Sequence, residues 1–304
     1  MRIIVRTVYG SALQTAKQLG IAHDVPQLAS LNEALTYNQT VPHQPTVPTQ
    51  GMEVVEAYQP IDDTINQTLQ YFCIGNGGHR TVVGPVDGVP YTAPIPHRAS
   101  DAGLYNLIPF VVKPVASDLT ELERVNYRLR KTMLIDGVLY AAYYLRRLDV
   151  ATAVPDATEV TVVAGVSYPV PFAPTLNNLQ PPVPPIGSAN NGSYLQVSAT
   201  VTVEFSATEV QQLQDACALV FGDSNYAIIS EIGLCHGVEK AITAVYPTTG
   251  TQTPNAVTTT STECVGVQVA CHISTYYPVV YTNAGFDFTL ELGATEPLFG
   301  LDSN

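Results

Sequence analysis

The sequence has no tryptophan, and its five cysteines (Cys73, Cys217, Cys235, Cys264, Cys271) are odd in number with no close CxxC pair. The first absence counts against sugar stacking. The second best fits a reduced protein made inside a cell. No segment approaches 18 uninterrupted apolar residues, which excludes a membrane-spanning helix, and MRIIVRTVYG starts directly as a strand. A soluble protein without a cleaved leader is expected. GxSxG, HExxH and DxDxDG patterns are missing, and the glycine-rich stretch at 75–80 lacks the GKS or GKT ending of a phosphate loop. Cations are scarce and unevenly placed. Residues 1–150 hold 12 of the 13 Lys/Arg and 13 of the 26 acids, whereas residues 151–304 hold only Lys240 against 13 acids. An acidic second half argues against nucleic acid or an anionic membrane as partner.

What is present favours β structure. Tyrosine outnumbers phenylalanine 17 to 8, and 304 residues suffice for one large or two ordinary domains. The expected fold class is mainly β (α+β), with two antiparallel β domains, a few short helices and long Pro-rich loops. Residues 1–150 are expected to form an N-terminal β-rich domain with an extended arm at 40–51, where three prolines remove backbone donors. A Pro-rich connection at 151–193 follows, and residues 194–304 are expected to form a C-terminal antiparallel β domain with one packed helix. In that part Tyr194 to Phe205 alternates cleanly as a strand and feeds Ser206-x-x-Glu209, a capping box opening a helix that Gly222 ends. Strands are expected at 226–234, 238–245, 264–281 and 286–292, with a Thr-rich loop at 247–262.

The clearest local design lies at 117–148. Asp118 with Glu121 reads as a capping box, and Asp136-Gly137 between two β-branched and aromatic runs reads as the type I′ turn of a hairpin. A two-residue turn sets Ile135 against Val138, Met133 against Tyr140, Arg130 against Tyr143, Leu129 against Tyr144 and Tyr127 against Arg146. The tip is apolar on both faces, which predicts that it is covered on both sides. The base is cationic and aromatic, which predicts a polar or anionic surface against it. Arg124, Arg128, Arg130, Arg146 and Arg147, with Tyr143 and Tyr144, are the candidate interface residues, weighed against a set of internal ion pairs.

Other candidates for chemistry are thin. Cys235-His236 and Cys271-His272, with Cys264, are weighed as zinc ligands, but neighbours on a strand point to opposite faces. Glu204, Glu209, Glu231, Glu239, Glu291 and Glu296 include no pair that spacing singles out for glycoside cleavage. No cofactor, metal or catalytic residue is therefore expected.

Five segments carry a family resemblance: GNGGHR at 75–80, LYNLIPFVVKP at 104–114, YRLRKTMLIDGVLYAAYYLRRLD at 127–149, YAIISEIGLCHGVEKAI at 226–242 and ELGATEPL at 291–298. They resemble segments of virion structural proteins of tailed bacteriophages, and the layout is similar to the β-rich wedge proteins of contractile-tail baseplates. A neck or collar position suits the same residues. The resemblance implies a non-enzymatic tail, baseplate or neck subunit, made in the host cytoplasm. Its partners would be other virion proteins and copies of itself, with no nucleic acid, membrane or small-molecule substrate. The reading from another class is a carbohydrate-binding or glycan-cleaving tail-associated β protein.

Overall fold

The computed structural model describes residues 2–23, 25–26, 29–34, 67–84, 88–176, 188–189, 192–247, 256–298 and 300–301. The expected arm at 40–51 lies outside the described residues. In order the elements are β1 (Ile3–Arg6), α1 (Val8–Leu19), α2 (Leu31–Ala34), β2 (Thr68–Gly75), β3 (His79–Val83), β4 (Pro90–Pro94), β5 (Leu107–Ile108) and β6 (Val111–Pro114). Then come α3 (Glu121–Arg124), β7 (Tyr127–Ile135), β8 (Val138–Arg147), β9 (Asp156–Val163), β10 (Val166–Pro171), β11 (Ser188–Ala189) and β12 (Tyr194–Phe205). The last are α4 (Ala207–Phe221), β13 (Ile228–Pro247), β14 (Ala256–Pro278), β15 (Phe286–Pro297) and β16 (Gly300–Leu301). Strand predominates and the pairings are antiparallel, so the fold is mainly β as the composition suggests.

The chain divides into two compact units, but not where the composition shifts. Unit 1 comprises Met1–Leu148 and Phe205–Phe286; unit 2 comprises Asp149–Glu204 and Asp287–Asn304. The break after Leu148 lies where a boundary is expected. The expected domain at 194–304 is not one body, because β13 pairs with β2 and β14 pairs with β1. These partners lie more than a hundred residues away, and hydrophobic alternation identifies a strand without identifying its neighbour.

Unit 1 is built on an eight-stranded sheet in the order β1-β14-β13-β2-β8-β6, with β5 on β2 and β7 on β8. Its core gathers Tyr71, Cys73, Leu129, Ala142, Tyr144, Leu145, Cys235, Val267 and Val269, with Val220 of α4 against it. α4 starts at Ser206 with a full capping box to Glu209 and ends at Gly222 in left-handed conformation, both as read from the residues. Pro109 interrupts the apolar run 104–112 as expected, splitting it into β5 and β6. The two strands expected at 226–234 and 238–245 are one strand, which absorbs register shifts at Leu234/Cys235 and His236/Val238. The Thr-rich stretch from 256 is strand rather than loop. Threonine's branched side chain suits a pleated surface, and β13 supplies the partner.

The β7–β8 hairpin turns at Asp136 (φ 49°) and Gly137 (φ 78°). Its register follows the turn from Ile135–Val138 to Arg130–Tyr143, then slips so that Leu129 meets Leu145 rather than Tyr144, and recovers at Tyr127–Arg146. The tip is not covered on both sides, since Leu134 and Val138 are exposed. The capping box before it sits two residues later than expected, on Thr120 and Glu123. Asp118 is taken instead by Arg130 (2.7 Å) and the Tyr143 hydroxyl (2.8 Å), charge-assisted bonds stronger than a cap.

Beyond Gly237, where β2 stops, β13 runs on to Pro247 paired with β14 alone. The seven outermost pairs, from Ala241–Thr262 to Pro247–Ala256, form a ribbon on the order of 20 Å long. No charged residue occurs from Ala241 to Thr262.

Unit 2 is a four-stranded sheet in the order β10-β9-β12-β15, with a short β11–β16 ribbon. Val160, Val201, Val203 and Leu290 are its buried apolar residues among those described. β9 and β10 join through Ala164 (φ 51°) and Gly165 (φ 79°), so Val163 and Val166 flank the turn as a hydrogen-bonded pair. Every second residue of β10 then faces its edge, which puts Pro169 and Pro171 at positions where no ladder donor is lost.

Candidate functional site

The apolar strand sequence YAIISEIGL places one carboxylate, Glu231, in the middle of β13 between Gly75 of β2 and Ser274 of β14. Its side chain is fully buried. Burial of this kind is tolerated only where each lone pair is met. One oxygen, Oε1, accepts from the backbone N–H of Gly77 (2.9 Å) and of Asn106 (2.8 Å). The other, Oε2, accepts from the Tyr105 N–H (2.8 Å) and from Nε2 of His97 (2.9 Å).

Glu231 thus clamps the 75–80 loop and the 95–106 loop onto the sheet. A side chain at Gly77 would collide with Tyr105 and with Glu231 itself, and one at Gly78 would meet the Ser230 carbonyl. The glycines at 75–80 serve close approach to a carboxylate as well as a turn. His97 extends the network: its ring stacks on His272 (centroids 3.9 Å) and Tyr105 (4.2 Å), and its Nδ1 lies 3.3 Å from Asp101 Oδ2. Burial, then the neighbouring His97, push the His272 imidazole down to about 4. An Asp–His–Glu line of this kind resembles a proton relay, but all four acceptor positions of Glu231 are filled by the chain's own donors. It holds loops; it has no lone pair to offer a substrate.

The clamped loops wall a cleft of about 770 Å³, lined by Asn76, Gly77, His79, Ile95, Tyr105, Asn106, Asp223, Asn225, Tyr226 and Ile228. Asn76 ties the two sides together by donating to the Tyr226 carbonyl at 2.9 Å. Tyr105 and Tyr226 remain well exposed, and Asp223 is the carboxylate among the lining residues.

The candidate interface residues lie elsewhere in unit 1; Arg128, Arg130, Tyr143 and Tyr144 are buried, Arg124 and Arg146 half-buried, and Arg147 exposed. Arg128 Nε (2.7 Å), Arg147 Nε (2.9 Å) and the Tyr71 hydroxyl (3.0 Å) all reach Oε1 of Glu239. Burial raises the Glu239 pKa, but these donors outweigh it and hold the carboxyl below its ordinary value. Arg130 pairs with Asp118, and its backbone N–H donates to Glu263. Arg146 pairs with Glu209 at 3.0 Å and lies over the Phe205 ring at 5.0 Å. Tyr143 and Tyr144 are core residues, and Arg124 borders a small pocket of about 240 Å³ with Arg128 and Glu263. The anionic surface expected against the hairpin's base is therefore supplied within the chain.

The Cys-His neighbours also separate. Cys235 Sγ faces Cys73 Sγ at 3.7 Å, while His236 Nδ1 meets Gln67 at 2.8 Å, and burial lowers that histidine's pKa to about 3. Among the described residues no group of three or more His, Cys, Asp or Glu is placed to hold a metal ion. No helix among them is long and apolar enough to cross a membrane.

A model for a family of unknown function, DUF7208, matches residues 1–304. The chain belongs to this family. No curated protein and no solved structure matches the chain.

Proposed function

We propose that the protein is a non-enzymatic structural subunit of a tailed-phage virion, placed in the tail, baseplate or neck and acting through repeated protein–protein contacts. The observation that carries this reading is the β13–β14 ribbon. A two-stranded hairpin standing alone in water is marginally stable, and soluble proteins normally blunt such edges with charge. Here seven consecutive pairs carry no charge at all and, among the described residues, hydrogen-bond to no third strand, while Thr260, Ser261 and Thr262 at the base line the pocket beside Arg124 and Arg128. Such a ribbon is suited to lie against another polypeptide. The arginines paired within the chain support the same reading from the other side: they stiffen a body that presents the ribbon.

The test is to tag the protein, purify phage particles and locate the tag by electron microscopy. A fixed, symmetric position in the tail or neck is expected. A protein absent from particles and present only free in the lysate overturns the reading. The cleft favours a second reading, glycan binding, because Tyr105 and Tyr226 are exposed beside polar groups. With Glu231 fully engaged and Asp223 as the lining carboxylate, this reading is binding rather than cleavage. Titration with host surface glycans, against a Tyr105→Ala/Tyr226→Ala variant, decides it.

A further inference from the structure

Unit 2 contains eight of the 26 acids and none of the 13 cations; unit 1 contains the other 18 acids and all 13 cations. One face of the unit 2 sheet also exposes apolar side chains along β9, β10 and the start of β12. Antiparallel partners share a face, so Val163 and Val166 lie together, with Tyr168 opposite Thr161 and Val170 opposite Glu159. Val197, opposite Ala157, continues the same face on β12. Val163, Val166, Tyr168, Val170 and Val197 are each 50–58% exposed. Contiguous exposed apolar surface marks a contact site. The edge beside it is closed to an added strand, because Pro169 and Pro171 occupy its outward positions. The face is therefore what docks.

Its charge says what does not dock there. Two copies of unit 2 brought together would set two bodies of eight acids each, with no lysine or arginine in either, against one another, and Glu159 stands on the face itself. The complement lies at the other end of the chain. Residues 1–23 hold Arg2, Arg6 and Lys17 and no acid. Ile4 on edge strand β1, and Val8, Leu19 and Ile21 on and after α1, are more than half exposed. Arg6 Nη1 donates to Gln14 Oε1 at 2.6 Å, so the exposed side of β1 runs into that of α1.

We propose that the apolar face of unit 2 on one copy docks on the β1–α1 surface of the next. The contact is head-to-tail, and such contacts propagate until a rotation closes a ring. This proposal rests on the assembly reading above for its setting, and it names the contact by which copies repeat.

Two variants of the whole chain test it. Val166→Lys/Val170→Lys blocks the unit 2 face and leaves β1–α1 intact; Ile4→Glu/Lys17→Glu does the reverse. By sedimentation velocity at low salt, the wild type should associate with rising concentration, and added salt should weaken it. Each variant alone should be monomeric, its dissociation constant raised at least about tenfold. An equimolar mixture should give a one-to-one dimer and nothing larger. Circular dichroism checks folding, and the milder pair Val170→Ser and Ile4→Thr replaces any variant that does not fold. Variants that associate like wild type, or a mixture that stays monomeric, overturn the contact. A wild type that stays monomeric yet sits in particles overturns the contact and leaves the virion reading standing. Self-association of a protein absent from particles does the opposite.

Discussion

Carboxylates are used in two ways in this molecule. In unit 1 Glu231, fully buried, and Glu239, half-buried, gather donors, four and three respectively, from distant parts of the chain. In unit 2 no lysine, arginine or histidine exists to meet the acids, and the aliphatic residues beside them are exposed. One unit turns charge inward to fix loops and a hairpin, where desolvation makes each pairing obligatory. The other carries its charge unneutralised beside an apolar face, the arrangement that steers an encounter and orients it. The lesson is that net charge says little about either use; the distribution of donors does.

The comparison can be broken most severely at Glu231. Glu231→Gln places an amide N–H₂ against backbone donors in a sealed site and should cost about 3–5 kcal/mol in chemical denaturation. A loss below about 1 kcal/mol contradicts the clamp. Acid comes next. With its folded pKa lowered from 6.5 to about 4, His272 binds its proton more readily unfolded than folded. The His272 share of stability should therefore be complete above pH 6.5 and fall between 6.5 and 4, by about 3 kcal/mol, and His236, lowered to about 3, adds a loss of the same sign over the same range. Glu239, with its pKa lowered, adds to the loss only below its ordinary 4.5. Thermal melts across this range check the slope, which His272→Gln should flatten. Arg146→Met loses the pair to Glu209 and the cation over Phe205, for about 1–3 kcal/mol. Smallest is Glu296→Gln on exposed β15 of unit 2, which should stay within about 0.5 kcal/mol.

Much of this was legible where structure is local. Asp136-Gly137, Ser206 with Glu209, Gly222 and Pro109 each specify their turn, cap or break through a few neighbouring atoms. The capping box near 118 failed because two candidates overlap, and Asp118 found a cation twelve residues on. The division into units failed because β13 chooses β2, a partner that no local pattern names. The Glu231 clamp left one trace, a lone carboxylate in an apolar strand. Its donors are mostly backbone N–H groups of two loops, which carry no sequence signature.

The most direct test of the outward use of charge is a photocrosslink. A benzophenone amino acid in place of Tyr168, on isotopically heavy protein mixed with light wild type, captures whatever covers the unit 2 face. Heavy-to-light adducts mapping to residues 2–21 of another copy are predicted, and high salt should abolish them. Adducts confined to the same chain, or to a different surface of the neighbour, contradict the account.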